Sequence, residues 1–330
     1  MLPRKSRVFV IIEPQLERKL NRHMQTPLSR FEIKYGGFNG ECTVEEVKRL
    51  VSLGRTAKCS YIIGLGGGKA LDTSKSVSNI LKKPIMTVPT SVATCACWTA
   101  LSAFYNKRGE FIGYELFDYC PDILALDTDL LLTQPPRLLA SGMSDALAKY
   151  YETRAFLRKT EPFPETMLVM DLCERIYENI FNYGIDGYEI LKKTTRTKRS
   201  VLETIFHTNI MLPGLVSGIG GEGCRAGVVH AVANGLTRLS DKQGFLHGEL
   251  VAYGILVQLM LEGNKKELKK IKGLFKKLGL PVSSKDMGLD IASSEILKNV
   301  CNWTLSKKET MGNFWRPVSR KELCKVLTSV

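Results

Sequence analysis

The segment YIIGLGGGKALDTSK, residues 61–75, restricts the fold more than any other part of the chain. Tyr61-Ile62-Ile63 reads as a strand. Gly66-Gly67-Gly68 leaves the next turn without side chains, and Lys69 opens a stretch of helical character. A strand, glycine turn and helix in this order point helix-start N–H groups outward, where the helix dipole favours negative charge. The glycines let an anion such as phosphate reach the main chain, and Lys69 adds a positive charge at the same spot. Two familiar phosphate motifs do not match. A G-x-G-x-x-G fingerprint fails at Lys69, and a Walker A loop fails at Ile63 and Ala70. By itself such a cluster could equally be a tight turn.

The surroundings extend this reading. Strand-like runs fall at residues 7–12, 31–36, 60–65, 84–88 and 123–127, with helical stretches at 44–57 and 69–82 between them. Alternation of this kind predicts a mostly parallel sheet covered by helices. After Pro135-Pro136 the strand alternation nearly stops. Residues 138–330 read as successive helices broken at EPFPE, NYGIDGY, LPGLVSGIGGEG and GLPVSS. The expected architecture is an α/β nucleotide-binding domain over residues 1–137 and an all-α domain over 138–330.

Apolar residues make up 44% of the chain and charged residues 24%, as in a globular domain. No segment has 18 uninterrupted apolar residues, and the five apolar residues Val8–Ile12 are too few for a signal-peptide core. Nine cysteines, odd in number and irregular in spacing, predict reduced thiols and a cytoplasmic protein; Cys95-x-Cys97 has no second pair to complete a zinc site. The formal charge of +14 favours anionic ligands. The densest basic run, NKKELKKIKGLFKKLG at 264–279, alternates lysines with Leu268, Ile271, Leu274 and Phe275. It reads as a solvated helix face rather than a nucleic-acid patch.

GGGKALDTSK, PTSVATCACWTALS, GMSDALA and HGELVAYG follow one another along the chain. In this order and spacing they resemble the iron-containing alcohol dehydrogenase superfamily, within it the glycerol dehydrogenase group. TCACWTALS is similar to a hydroxycarboxylate dehydrogenase-like subgroup. The resemblance runs from Val8 to about Leu280 and implies a dehydroquinate synthase-like fold with a dinucleotide between two domains. It implies that Asp145, His230 and His247 hold one divalent cation, zinc or iron, with a position left for water or substrate, as in a catalytic site. Such a cation would make an alcohol's alkoxide form accessible near neutral pH. On its own, Asp145 could equally be a helix cap, with Ser144 as the alternative. His23 and His207 match no motif of the family.

For the cofactor, the resemblance implies that Gly66, Gly67, Gly68 and Lys69 receive the pyrophosphate of NAD. Thr90, Ala93, Thr99, Leu101 and Tyr105 fall where the family contacts the cofactor, and Asp72 with Lys75 completes the pattern. Glu13, at the end of the first strand, could accept hydrogen bonds from ribose hydroxyls and repel a 2′-phosphate, favouring NAD over NADP.

Several departures bear on the substrate. The family starts with a further strand pair, whereas Met1 lies six residues before the first strand, which predicts a trimmed lobe. Cys95 stands where glycerol dehydrogenases carry an aspartate that touches the polyol. Ala233 replaces a second histidine of the family, so no proton relay through that side chain is available. Arg225, in GGEGCRAGVVH, could grip a carboxylate or form an interhelix salt bridge. The expected activity is NAD- and metal-dependent hydride transfer on a small alcohol, polyol or 2-hydroxy acid, with a lean to the 2-oxo acid/2-hydroxy acid pair. The competing readings are a dehydroquinate synthase-type lyase, which carries glutamate where this chain has Asp145, and a non-catalytic nucleotide- and metal-binding homologue. The partners expected are a small-molecule substrate and further copies of the chain, without nucleic acid or membrane.

Overall fold

The structure is a computed structural model and describes residues 6–16, 31–161, 163–193, 198–239, 244–289 and 293–330. His23 lies outside them. By internal contacts the chain divides into one unit of Met1–Ser91 with Ala96–Thr133, and a second of Val92–Cys95 with Gln134–Val330.

The first unit contains a five-stranded parallel sheet of order β2-β1-β3-β4-β7. Its strands are β1 (Arg7–Ile12), β2 (Glu32–Gly37), β3 (Tyr61–Gly66), β4 (Ile85–Pro89) and the short β7 (Ile123–Leu124). Two helices, α1 (Val44–Thr56) and α2 (Gly68–Leu81), connect them. The apolar run VFVII of β1 is buried on both faces, as a central parallel strand requires. Phe9 and Ile11 pack with Val47, Leu50, Ile62 and Val77, while Val8, Val10 and Ile12 face the other way with Leu65. Thr43 caps α1 by accepting from the Glu46 N–H. In contrast, α2 starts straight from the glycine turn without a side-chain cap.

The sequence reading contains no hairpin, yet β5 (Leu101–Tyr105) and β6 (Phe111–Leu116) pair antiparallel. Asn106 makes the turn between them, its Oδ1 accepting from the N–H groups of Arg108 and Glu110, with Gly109 at φ +68°. Strands of five and six residues carry little periodic signal, and the first overlaps a stretch already absorbed by a motif. The short helix α3 (Thr128–Leu131) ends this unit.

The second unit is helical throughout its described elements. It comprises α4 (Pro136–Leu157), α5 (Pro164–Lys192), α6 (Arg199–Ile219), α7 (Gly221–Arg225), α8 (Val228–Leu236), α9 (His247–Leu261), α10 (Lys265–Leu278), α11 (Ser294–Thr304) and α12 (Arg320–Leu327). Pro136 occupies the first turn of α4, so the proline pair opens that helix, and position 138 lies inside it. Helix α10 buries Ile271, Leu274, Phe275 and Leu278 and turns its lysines outward, as the spacing predicts. No described helix is long and apolar enough to cross a membrane.

Contrary to the expectation of reduced thiols, not every cysteine is free. Cys301 of α11 and Cys324 of α12 are joined in a disulfide with Cα atoms 6.2 Å apart, and the other seven cysteines are not in disulfides. Spacing alone could not reveal the pair, because 23 residues separate two positions that the helix packing brings together.

Candidate metal centre and glycine turn

Three helices of the second unit build one cluster. Asp145 lies in the middle of α4, which excludes the capping role open to it from sequence. His230 lies in the first turn of α8, and His247 is the first residue of α9. The start of α9 is fastened to α4: Ser144 Oγ donates to the Gly248 carbonyl at 2.6 Å, and Gly248 N–H donates to Ser141 Oγ at 3.1 Å. A Cβ at Gly248 would stand 2.0 Å from the Ser141 carbonyl oxygen, so only glycine lets His247 approach Asp145 this way.

The Nε2 atoms of His230 and His247 lie 3.3 Å and 3.5 Å from the same oxygen, Asp145 Oδ1. One donor atom from each residue falls within 4.8 Å of the others. A tetrahedral zinc with bonds of about 2.0–2.1 Å would space its ligand atoms about 3.3–3.4 Å apart. One carboxylate and two imidazoles also suit a borderline divalent cation such as zinc or ferrous iron. The donor set therefore fits a metal.

A fourth side chain, which the sequence reading did not single out, completes this arrangement. Glu152 is buried on α4, two helical turns after Asp145. Its Oε2 lies 2.7 Å from His230 Nδ1, and its Oε1 accepts from the N–H groups of Gly227 at 2.7 Å and His230 at 2.8 Å. Burial alone would drive His230 to lose its proton, but the Glu152 charge outweighs this and raises its pKa to about 9. Burial would likewise push Asp145 up, yet hydrogen bonds from His230 and His247 hold it well below the usual carboxylate range. Asp145 and Glu152 thus stay ionised although buried, and together they attract positive charge to the cluster.

In the first unit, Gly66 has φ +154°, and Gly67 and Gly68 lead into α2. Gly67 N–H donates to Glu13 Oε1 at 3.0 Å, so a carboxylate already sits on the turn, an anion where the motif predicts one. Lys69 Nζ pairs with Glu41 Oε2 at 2.6 Å and lies 4.9 Å from the centre of the Tyr105 ring. Thr90 N–H donates to the Gly66 carbonyl. The turn fits an anionic group such as a pyrophosphate.

The remaining residues expected at the cofactor are engaged within the fold. Asp72 and Lys75 form a buried ion pair at 2.8 Å. Lys75 also donates to the carbonyls of Thr99 and Leu101, and Asp72 Oδ2 accepts from Ala103 N–H. Asp72, Thr99 and Leu101 are therefore joined through one lysine, which ties β5 to α2. The stretch that reads as a single motif around residues 90–99 is divided, since Val92–Cys95 groups with the second unit. There Gln134 accepts from Val92 N–H, Asn209 donates to the Val92 carbonyl, and Ser141 Oγ lies 3.5 Å from the Ala93 carbonyl. Cys95 is buried. Arg225 ends α7, makes no ion pair among the described residues, reaches the Ser217 carbonyl at 3.4 Å, and has its Nε buried without a hydrogen-bond partner. His207 is exposed on α6.

Comparison with known proteins decides the family. The sequence profile of the iron-containing alcohol dehydrogenases matches residues 2–128. A glycerol dehydrogenase of Thermotoga maritima is 34% identical over 96% of this chain and 87% of its own length. The chain belongs to the iron-containing alcohol dehydrogenase family. Hydroxycarboxylate dehydrogenase A of Escherichia coli is 33% identical over 83% of this chain and 75% of its own. The solved structure of a probable glycerol dehydrogenase from Sinorhizobium meliloti superposes with a TM-score of 0.89, covering 98% of this chain and 90% of that one at 24% identity, which shows the common fold. As a member of the family, the protein is a metal-dependent alcohol oxidoreductase.

Proposed function

We propose that the protein transfers hydride between NAD and a small hydroxylated substrate, at a cation held by Asp145, His230 and His247. The observation that carries this reading is the approach of two imidazole nitrogens to a single carboxylate oxygen, in a member of a metal-dependent family. When bound, the cation supplies Lewis acidity toward a hydroxyl or carbonyl oxygen, and NAD supplies the hydride acceptor. Gly66, Gly67, Gly68 and Lys69 take the pyrophosphate, which displaces the Glu13 carboxylate from Gly67 N–H, and Glu13 then meets the ribose and disfavours a 2′-phosphate. Thr90, Ala93 and Tyr105 line the rest of the cofactor site. Asp72, Thr99 and Leu101 support it through the Lys75 network.

On the substrate side, the lean is to a 2-hydroxy acid and its 2-oxo partner. Arg225 carries a planar fork with one buried nitrogen left unsatisfied, which a carboxylate would satisfy. Cys95 puts a thiol where a carboxylate would repel such an anion. The likeness to a hydroxycarboxylate dehydrogenase fits this, and the likeness to glycerol dehydrogenases keeps polyols as the competing class.

The test is a screen of 2-oxo acids, diols and glycerol with NADH or NAD and added zinc, iron or manganese, in the parent protein and in Cys95→Asp. At an effective dielectric near 20 and roughly 5 Å, the new charge would cost an anionic substrate about 3 kcal/mol, or roughly a hundredfold in kcat/KM. Glycerol should be spared. An unchanged ratio of specificity constants, or a parent that prefers glycerol, would return the enzyme to the polyol class.

A further inference from the structure

We propose that Glu152 is a positioning residue of the metal centre, whose single carboxylate fixes the His230 ring with Nε2 toward Asp145 and closes the start of α8. This rests on the metal reading of the cluster and names a group outside its three ligands.

Three N–H groups converge on one carboxylate: the main-chain N–H groups of Gly227 and His230 on Oε1, and the His230 ring on Oε2. The two main-chain groups belong to the unsatisfied start of α8, which has no cap from its own N-cap residue, Gly227. A main-chain N–H can only donate. Oε1 is therefore committed as an acceptor, and Oε2 remains as an acceptor for Nδ1–H. With the proton on Nδ1, Nε2 presents its lone pair to the cluster, the state a metal ligand needs. Asp145, Lys149 and Glu152 stand at i, i+4 and i+7 on one face of α4. Lys149 Nζ donates to the Arg225 carbonyl, two residues before Gly227. One helix face thus supplies a ligand, orients a second ligand, and holds the chain entering the helix that carries it.

An amide cannot do what this carboxylate does. In Glu152→Gln, one orientation keeps the oxygen on the two main-chain N–H groups and turns an NH2 toward Nδ1. The ring then accepts at Nδ1 and carries its proton on Nε2, where it blocks a cation. The flipped amide sets NH2 against two main-chain donors instead. The first choice keeps the cap, so Glu152→Gln should stay folded with the ring tautomer reversed. Glu152→Asp keeps the charge and should restore the tautomer with weaker positioning.

The experiment measures cobalt(II) affinity by equilibrium dialysis and the cobalt absorption spectrum, with thermal melting as a fold control. The His230 tautomer is read by nitrogen NMR of the metal-free, histidine-labelled protein above pH 9, where the neutral ring predominates. The expected result is an affinity about tenfold to a hundredfold weaker in Glu152→Gln, with the proton moved to Nε2 and little change in melting, and partial recovery in Glu152→Asp. Cobalt uptake that Asp145→Ala abolishes but Glu152→Gln leaves intact, with the tautomer unchanged, would overturn the role of Glu152 alone. A parent protein that takes up no cobalt would overturn the metal reading, and the proposal with it.

Discussion

The glycine turn of the first unit offers main-chain N–H groups to an anion, whereas the cluster of the second offers side-chain oxygen and nitrogen to a cation. The turn works by omission: three consecutive residues lack side chains, and a carboxylate reaches Gly67 N–H. The cluster works by convergence: residues 85 and 17 positions apart meet because α4, α8 and α9 pack closely. Backbone sites tolerate no bulk but are indifferent to titration. Side-chain sites depend on which proton sits where, and so need neighbours such as Glu152. The two regions should therefore fail in different ways when altered.

The largest effect is expected in the cluster. Asp145→Ala or His247→Ala leaves two protein donors, too few to hold the cation in place. Turnover should fall by about a thousandfold or more, since Lewis acidity contributes several kcal/mol. NAD affinity and thermal melting should change little. Elemental analysis beside kcat checks this, and a metal-free His247→Ala protein with full activity would break the comparison at its root.

A smaller, purely steric effect is expected in the turn. Gly67 has ordinary extended angles, φ −77° and ψ 178°, and an added Cβ would meet only Glu13 Oε1, at 3.6 Å. Gly67→Val should fold normally, yet fill the approach to the main chain. NAD binding should weaken by about 2 kcal/mol, roughly thirtyfold, with bound metal unchanged. Calorimetric titration measures it. Unchanged affinity would reduce the glycine run to a structural turn.

The contrast also explains what could be read from sequence. The turn, β1, α1 and α2 are contiguous, so pattern and propensity reach them directly. Asp145, His230 and His247 came from resemblance, because no local signal relates positions so far apart. Glu152 carries a weaker trace: seven residues after Asp145 is the same helix face, but only the fold shows that His230 arrives there. The hairpin β5–β6 and the Cys301–Cys324 pair were illegible for the same reason, since each is defined by its partner rather than its own sequence.

The smallest effect concerns how each unit treats a buried acid. Asp72 of the first unit is paired with Lys75. Glu309 of the second accepts from two neutral donors, Trp303 Nε1 at 2.5 Å and Asn234 Nδ2 at 3.1 Å. Burial pushes its pKa up to about 7, against the pull of those hydrogen bonds and of Arg238. A raised carboxyl pKa favours the protonated form in the folded state. Stability is then undiminished below the unfolded value, near pH 4.5, and is lost as pH rises toward 7, because the folded protein holds a proton the unfolded chain has released. Glu309→Gln removes that titration. Its amide cannot accept from both donors, which sets a roughly constant penalty of about 1 kcal/mol at every pH. Relative to the parent, the variant should gain about 1–3 kcal/mol between pH 4.5 and pH 8, a shift of a few degrees in melting temperature. The slope of that difference with pH is the test, independent of the offset. A melting difference that stays flat from pH 4.5 to pH 8 would mean that Glu309 is ionised in the folded protein throughout, and that the second unit compensates this buried acid as fully as the first compensates Asp72.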